Sequence, residues 1–324
     1  MDRVGVNTLK NCMQRVFEDG PKRDRRLWIG DLRLEALADY YTFGQTDLVR
    51  RCLCLFAAAD RNERGMLPGF VYENPAFFPG NWFLTDYSLM YVCALCDYEE
   101  YSGDGGTFLR LLPTARAILT SLVFCRDGDG MVTSPEEDIF IDWCEGLEKK
   151  IALLGVFLYT LGIYRRALSR RALPEEFSGI AEDVRAAVRK KVGEDFVAVH
   201  SVHEAVWLTL GGIAGKTEAK ALLGRTLRDP QAKKPCTPYM WHYTLEALIL
   251  ADEKQAARDV FDRIWGGMLR QGGDTFFEAF VPGDPDFSPY GDRKVNSMCH
   301  AWSCTATYFL RKYSFFSEKP PIFG

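Results

Sequence analysis

A closed barrel of six helical hairpins is the fold this sequence predicts. Apolar residues recur at spacings of three and four along nearly all of the 324 residues, while runs alternating between polar and apolar are almost absent, so the elements are helices. These helices alternate between two kinds, one with a heavily charged face and one apolar nearly all round, which puts the first outside and the second inside. The connections alternate too. Gly44-Gln45, Ala214-Gly215 and Asp252-Glu253 make tight links after even-numbered helices, whereas the links before them are mostly long and rich in aromatic and acidic residues. Together these features describe an all-α (α/α)6 barrel whose long loops gather where the inner helices begin, and that end is the expected active face.

Twelve helices are expected. The first covers 4 to 18 on Leu9, Cys12, Met13, Val16 and Phe17 and stops at Gly20-Pro21. The second covers 31 to 43, and the third 46 to 61 on Val49, Cys52, Leu53 and Phe56. The rest are 83 to 102, 106 to 123 (where Pro113 is expected to interrupt or kink it), 147 to 169, 174 to 192, 203 to 213, 216 to 226, 239 to 251, 254 to 270 and 299 to 313. The barrel therefore occupies 1–313 and a tail 314–324. The segments 62 to 82, 124 to 146 and 271 to 298 exceed the length usual for structureless loops, and their Phe, Tyr and Trp content marks them as ordered and functional.

A net charge of −4 and a pI near 5.7 provide no basic stripe, so nucleic acid is excluded as a partner. No apolar run reaching the ~20 residues of a membrane span is expected, and Met1-Asp2-Arg3 leads into an amphipathic helix with no signal-peptide core. The expected compartment is the cytoplasm, with no membrane partner. Most of the ten cysteines lie inside apolar helical runs and read as reduced, buried thiols. Cys93-Ala94-Leu95-Cys96 lacks a second ligand pair, His200 and His203 are equally unsupported, and Asp127-Gly128-Asp129-Gly130 lacks the terminal Glu of a calcium loop. No metal and no cofactor are expected.

The loops of the expected active face hold most of the tryptophans, interleaved with acids. The stretch Asp19-Gly20-Pro21-Lys22-Arg23-Asp24-Arg25-Arg26-Leu27-Trp28-Ile29-Gly30-Asp31 precedes the second helix. Phe77, Phe78, Trp82 and Asp86 precede the fourth, and Asp138, Phe140, Asp142 and Trp143 the sixth. His200 and His203 precede the eighth, Tyr239, Trp241 and His242 the tenth, and Asp274, Phe276, Phe277, Glu278, Tyr290 and His300 the twelfth. Packing of barrel ends accounts for rings but not for the acids among them, since buried carboxylates need partners. Carboxyl pairs among aromatic rings suit glycoside cleavage, where inversion needs one protonated and one ionised carboxyl about 6.5 to 9.5 Å apart.

Four stretches in this order resemble glycoside hydrolase family 78, the inverting α-L-rhamnosidases, whose catalytic domain is an (α/α)6 barrel. They are Asp19-Gly20-Pro21-Lys22-Arg23-Asp24-Arg25 with Trp28-Ile29-Gly30-Asp31, Phe140-Ile141-Asp142-Trp143, Trp265-Gly266-Gly267-Met268-Leu269 followed by Asp274-Thr275-Phe276-Phe277-Glu278, and Cys299-His300-Ala301-Trp302-Ser303. The resemblance covers most of the chain. By position it implies that Asp24 is the general acid and Glu278 the general base, and that Asp19 and Asp31 hold rhamnose hydroxyls. Trp28, Trp82, Trp143 and His300 resemble the pocket lining, and Arg23, Asp142 and Trp241 complete the implied substrate-binding set. Asp24 stands where many members carry Glu, and the β-sandwich domains that usually surround the barrel are lacking here. The implied activity releases terminal rhamnose from a small rhamnoside or oligosaccharide. Two alternatives remain open: hydrolysis of another deoxy or uronic sugar, and a non-catalytic sugar-binding or assembly subunit on the same barrel. Barrel surface left uncovered by the missing domains implies a homo-oligomer, with Phe315, Phe316 and Ile322 as expected contacts.

Overall fold

The computed structural model describes residues 1–22 and 24–317, so Arg23 and Ile322 lie outside the described residues. The outer helices are α1 (Asp2–Cys12), α3 (Thr46–Ala57), α5 (Gly105–Phe124), α7 (Ser178–Val192), α9 (Lys216–Arg228) and α11 (Lys254–Phe261). α11 runs through a π turn (Asp262–Gly266) into α12 (Gly267–Arg270). The inner helices are α2 (Ile29–Tyr40), α4 (Thr85–Ser102), α6 (Lys150–Arg170), α8 (Val202–Leu210), α10 (Pro238–Leu250) and α13 (Ala306–Lys312), the last preceded by a 3₁₀ turn at Ala301–Thr305. Each inner element packs on the next, and the Ala301–Thr305 turn packs back on α2, which closes the ring.

Burial follows the two kinds of helix. α4 is buried from Thr85 through Glu99, whereas α7 buries only Ala181, Val184, Val188 and Val192, a stripe at spacings of three and four. Side-chain caps fix where inner helices start. Ser201 accepts from the Glu204 N–H, and Thr237 accepts from the Met240 N–H with Pro238 in the first turn. α2 is buried from Ile29 through Asp39 although it carries Asp31, Arg33, Glu35 and Asp39.

Several expectations need correction. α1 ends at Cys12; Val16 and Phe17 are buried, but on a turn closed by the Met13–Phe17 bridge, where periodic apolar residues imitate a longer helix. Pro113 does not end α5, and its ring lies on the exposed side. A three-stranded antiparallel sheet, β1 (Leu27–Trp28), β2 (Phe70–Tyr72) and β3 (Phe78–Pro79), pairs Trp28 with Phe70 and Tyr72 with Phe78 at the mouth. Two helices, α5 and α6, are long and apolar enough to cross a membrane, contrary to the sequence reading, but 78% of the apolar window in α6 is buried inside the barrel. Phe315 and Phe316 are partly buried on their own chain, Phe316 against Phe261 and Phe309 with centroids 4.9 and 5.6 Å away.

Candidate active site

The mouth of the barrel holds a cavity of about 350 Å³ lined by Asp19, Asp24, Trp28, Asp31, Trp82, Leu84, Tyr87, Phe140, Trp143, Glu278, Tyr290, His300 and Trp302.

One wall is the turn from Asp19 to Arg26, closed on itself in both directions. The Asp19 N–H donates to the Arg26 carbonyl at 3.0 Å, and the Arg26 N–H donates to Asp19 Oδ1 at 3.0 Å. At its tip Asp24 and Arg25 adopt positive φ of 59° and 49°, a left-handed conformation unfavourable for side-chain-bearing residues. Asp24 is thereby held a quarter exposed with Arg26 Nη2 3.6 Å from its carboxylate, while Arg25 turns outward to Glu18 at 3.0 Å. Gly20 is required here, because a Cβ would lie 2.7 Å from the Cys299 carbonyl and 2.8 Å from Ser297 Oγ. Lys22 adds a tie to the same partner segment, donating to the carbonyls of Lys294 and Asn296.

That segment carries the other acid. The Glu278 N–H donates to the Ser297 carbonyl at 2.9 Å, and the Ser297 N–H donates to Glu278 Oε2 at 2.8 Å. The Tyr290 hydroxyl donates to Glu278 Oε1. Asp31 enters from the first turn of α2, 2% exposed, with the Tyr87 hydroxyl donating at 3.4 Å and His300 Nδ1 3.8 Å away. Burial, reinforced by the Asp24 charge, pushes Asp19 up to about 8 even though backbone N–H donors pull the other way. Burial and the neighbouring Asp19 and Glu278 push Asp31 well above the carboxylate range too. Neutral carboxyl groups that can donate to sugar hydroxyls are the result.

The rings form the rest of the wall. Trp28 stands edge-on to Trp82 and Tyr87 at 5.9 and 6.2 Å, Trp143 to Phe140 and Tyr290 at 5.1 and 5.6 Å, and His300 lies 4.2 Å from Trp302.

Thus Asp19, Asp24, Trp28, Asp31, Trp82, Trp143, Glu278 and His300 come together, whereas Asp142 and Trp241 do not line the cavity. Asp142 is occupied by the Cys236 N–H at 2.8 Å, the Thr237 hydroxyl at 2.6 Å and His203 Nε2 at 2.8 Å, so it fastens the Trp143 loop to the start of α10 instead of meeting a sugar. Asp86 does the same for Phe140 and Ile141, accepting both N–H groups at 3.0 and 2.8 Å. Trp241 is 2% exposed, beside the Arg263 guanidinium at 5.3 Å. Asp127 accepts the N–H groups of Asp129 and Met131, an ordinary turn. Leu84 and Tyr87 are lining residues that sequence reasoning passed over, and for Tyr87 an aromatic next to Asp86 at the start of an inner helix was the signal.

Residues 2–150 match the family described as bacterial alpha-L-rhamnosidase 6 hairpin glycosidase domain. Among solved structures, a rhamnosidase from Klebsiella oxytoca with rhamnose bound is 38% identical, over 97% of this chain and 63% of that one, with a TM-score of 0.88. A GH78 family rhamnosidase of Bacillus sp. GL1 is 23% identical, over 96% of this chain and 34% of that one, with a TM-score of 0.82. A GH63 mannosylglycerate hydrolase from Thermus thermophilus shares the fold at 13% identity, covering 94% of this chain and 98% of that one with a TM-score of 0.72. No curated protein matches the chain. The chain spans less than two thirds of the length of the two rhamnosidases. With the closed ring of hairpins and these matches in place, the chain is a six-hairpin glycosidase domain similar to those of the bacterial α-L-rhamnosidases.

Proposed function

We propose that this domain is an inverting α-L-rhamnosidase-type hydrolase that releases terminal rhamnose from small glycosides. The observation that carries the reading is that Asp24 and Glu278, from turns near opposite ends of the chain, line one cavity together with Asp19 and Asp31. In the proposed reaction a water oxygen attacks the anomeric carbon from the Glu278 side and gives its proton to Glu278. The glycosidic C–O bond breaks on the other face, and its oxygen takes the proton from Asp24. Asp19 and Asp31, kept neutral by burial, hold ring hydroxyls, and the Trp28, Trp82 and Trp143 rings exclude water from the ring faces. The ten cysteines are all free thiols, which supports a reducing compartment, and we propose the cytoplasm.

The test is a panel of aryl α-L-rhamnosides and other aryl glycosides, with the first-formed anomer read by NMR. Turnover of the rhamnoside with the anomeric configuration inverted is expected. Retention overturns the mechanism, and rhamnose binding by calorimetry without any turnover replaces the hydrolase with a sugar-binding subunit. Glu278→Gln keeps the shape but cannot accept a proton, so turnover is expected to fall by roughly 10²- to 10⁴-fold, with rhamnose affinity changed far less. Asp24→Asn is expected to harm alkyl or sugar leaving groups much more than activated aryl oxides, because the latter need little protonation.

A further inference from the structure

The loop that faces Glu278 is built around one serine. Ser288 Oγ donates to the Asp292 carbonyl at 3.0 Å, lies 2.6 Å from Asn296 Oδ1 and accepts the Tyr290 N–H at 3.1 Å. Asn296 Nδ2 donates to the Phe287 carbonyl at 2.8 Å, and the Gly291 N–H returns to Ser288 O at 3.3 Å with Gly291 at φ +77°. A surface loop tied this often to itself holds a fixed shape without a core of its own. What it presents to the cavity is Tyr290. The ring, 37% exposed, stands edge-on to Trp143, and the hydroxyl donates to Glu278 Oε1. The Ser297 N–H holds the other oxygen, and Lys22 fastens the end of the same loop to the turn bearing Asp24.

We propose that Tyr290 is a positioning residue for Glu278, whose phenol O–H fixes the carboxylate's orientation toward the attacking water. The proposal rests on the reading of Glu278 as the general base. A carboxylate held by two donors on different oxygens cannot rotate about its last bond without losing both. The phenol thus restrains the carboxylate in the free domain without taking its proton-accepting capacity. Because the ring is also part of the pocket wall, the same side chain registers the base against the sugar.

The experiment is Tyr290→Phe, which keeps the ring against Trp143 and deletes the donor. Hydrogen bonds to charged groups are worth enough that kcat is expected to fall about ten- to a hundred-fold. KM for an aryl rhamnoside is expected to stay within about two-fold, since the ring remains. Ser288→Ala, which loosens the mount and leaves the phenol in place, should give a smaller loss of kcat, again with KM nearly unchanged. An unchanged kcat in Tyr290→Phe, with Glu278→Gln still inactive, overturns the proposal and leaves the base intact. A Glu278→Gln that still turns over removes the base itself. A loss in KM alone makes Tyr290 a wall residue and also overturns the proposal.

Discussion

Two groups of buried acids in this barrel are treated in opposite ways. Along the axis, Arg33 from α2 meets Asp97 from α4 at 2.9 Å and the hydroxyls of Tyr159 and Tyr243 at 2.9 and 3.2 Å, and Tyr159 passes a hydrogen bond to Glu246 at 2.9 Å. Burial alone would raise Glu246, but His242 and Arg33 outweigh it and hold the carboxylate well below its usual range. Burial pushes His242 itself down, so the partner that stays charged at neutral pH is Arg33. Burial still leaves Asp97 raised, though Arg33 pulls it back. At the mouth, Asp19 and Asp31 are pushed up chiefly by burial and then by neighbouring carboxylates, Asp24 for Asp19 and Asp19 for Asp31, and Glu35, one helical turn below Asp31 with both oxygens lacking a partner among the described residues, is raised in the same way. α2 supplies both sets, with Asp31 and Arg33 only two residues apart. Charge is therefore matched where nothing enters and left as neutral carboxyl groups where a hydroxyl-rich ligand fits.

The comparison breaks most easily at Arg33. Arg33→Met strands Asp97 and Glu246 in the interior, and an expected loss of roughly 3–5 kcal/mol in unfolding free energy, the range for removing one partner of a buried ion pair, is measurable by urea titration. A loss under about 1 kcal/mol would mean that the axis does not depend on its cation. Asp19 sharpens the other side. Its folded pKa of about 8 lies above the ordinary 3.8, so folding takes up a proton between those values. The stability it contributes is fully present below about 4 and is lost as pH rises through about 8. Asp19→Asn removes this dependence, and the slope of unfolding free energy against pH should become less negative in that window by up to roughly 1.4 kcal/mol per pH unit. An unchanged slope would place the proton elsewhere. The smallest effect is expected from Glu35→Gln, because a neutral carboxyl and an amide are close in shape and charge. Its cost should stay within about 1 kcal/mol, and a larger loss would show that Glu35 is ionised.

The barrel was legible because burial imposes itself on sequence: α4, α8 and α10 are apolar on all sides and α7 is striped. Legibility failed where a short turn carries core residues at helical spacing, as at Val16 and Phe17, and where strands are two or three residues long, as in β1, β2 and β3. In the site, the loops named the acids that line the cavity but not their partners. Asp142 reads in sequence like Asp31, and only the chain folding back at Cys236 and Thr237 uses up its oxygens. Tyr290 stood out as one loop aromatic among several, since nothing local tells a phenol that packs from one that donates to a carboxylate across a loop.

The ring is closed by contacts between its first and last hairpins: α1 lies on the Ala301–Thr305 turn and on α13, and the Ala301 N–H donates to the Asp19 carbonyl at 2.9 Å. A ribosome thus delivers Asp24 near the beginning of this stretch and Glu278 near its end. A nascent chain holding five hairpins has the residue proposed as acid, most of the aromatic wall and an open gap, but not Glu278. Its α2 and α10 flanks face water until the sixth hairpin emerges. The proposed catalytic pair is then completed by the same event that seals the core, so no partly made barrel carries both carboxylates in place.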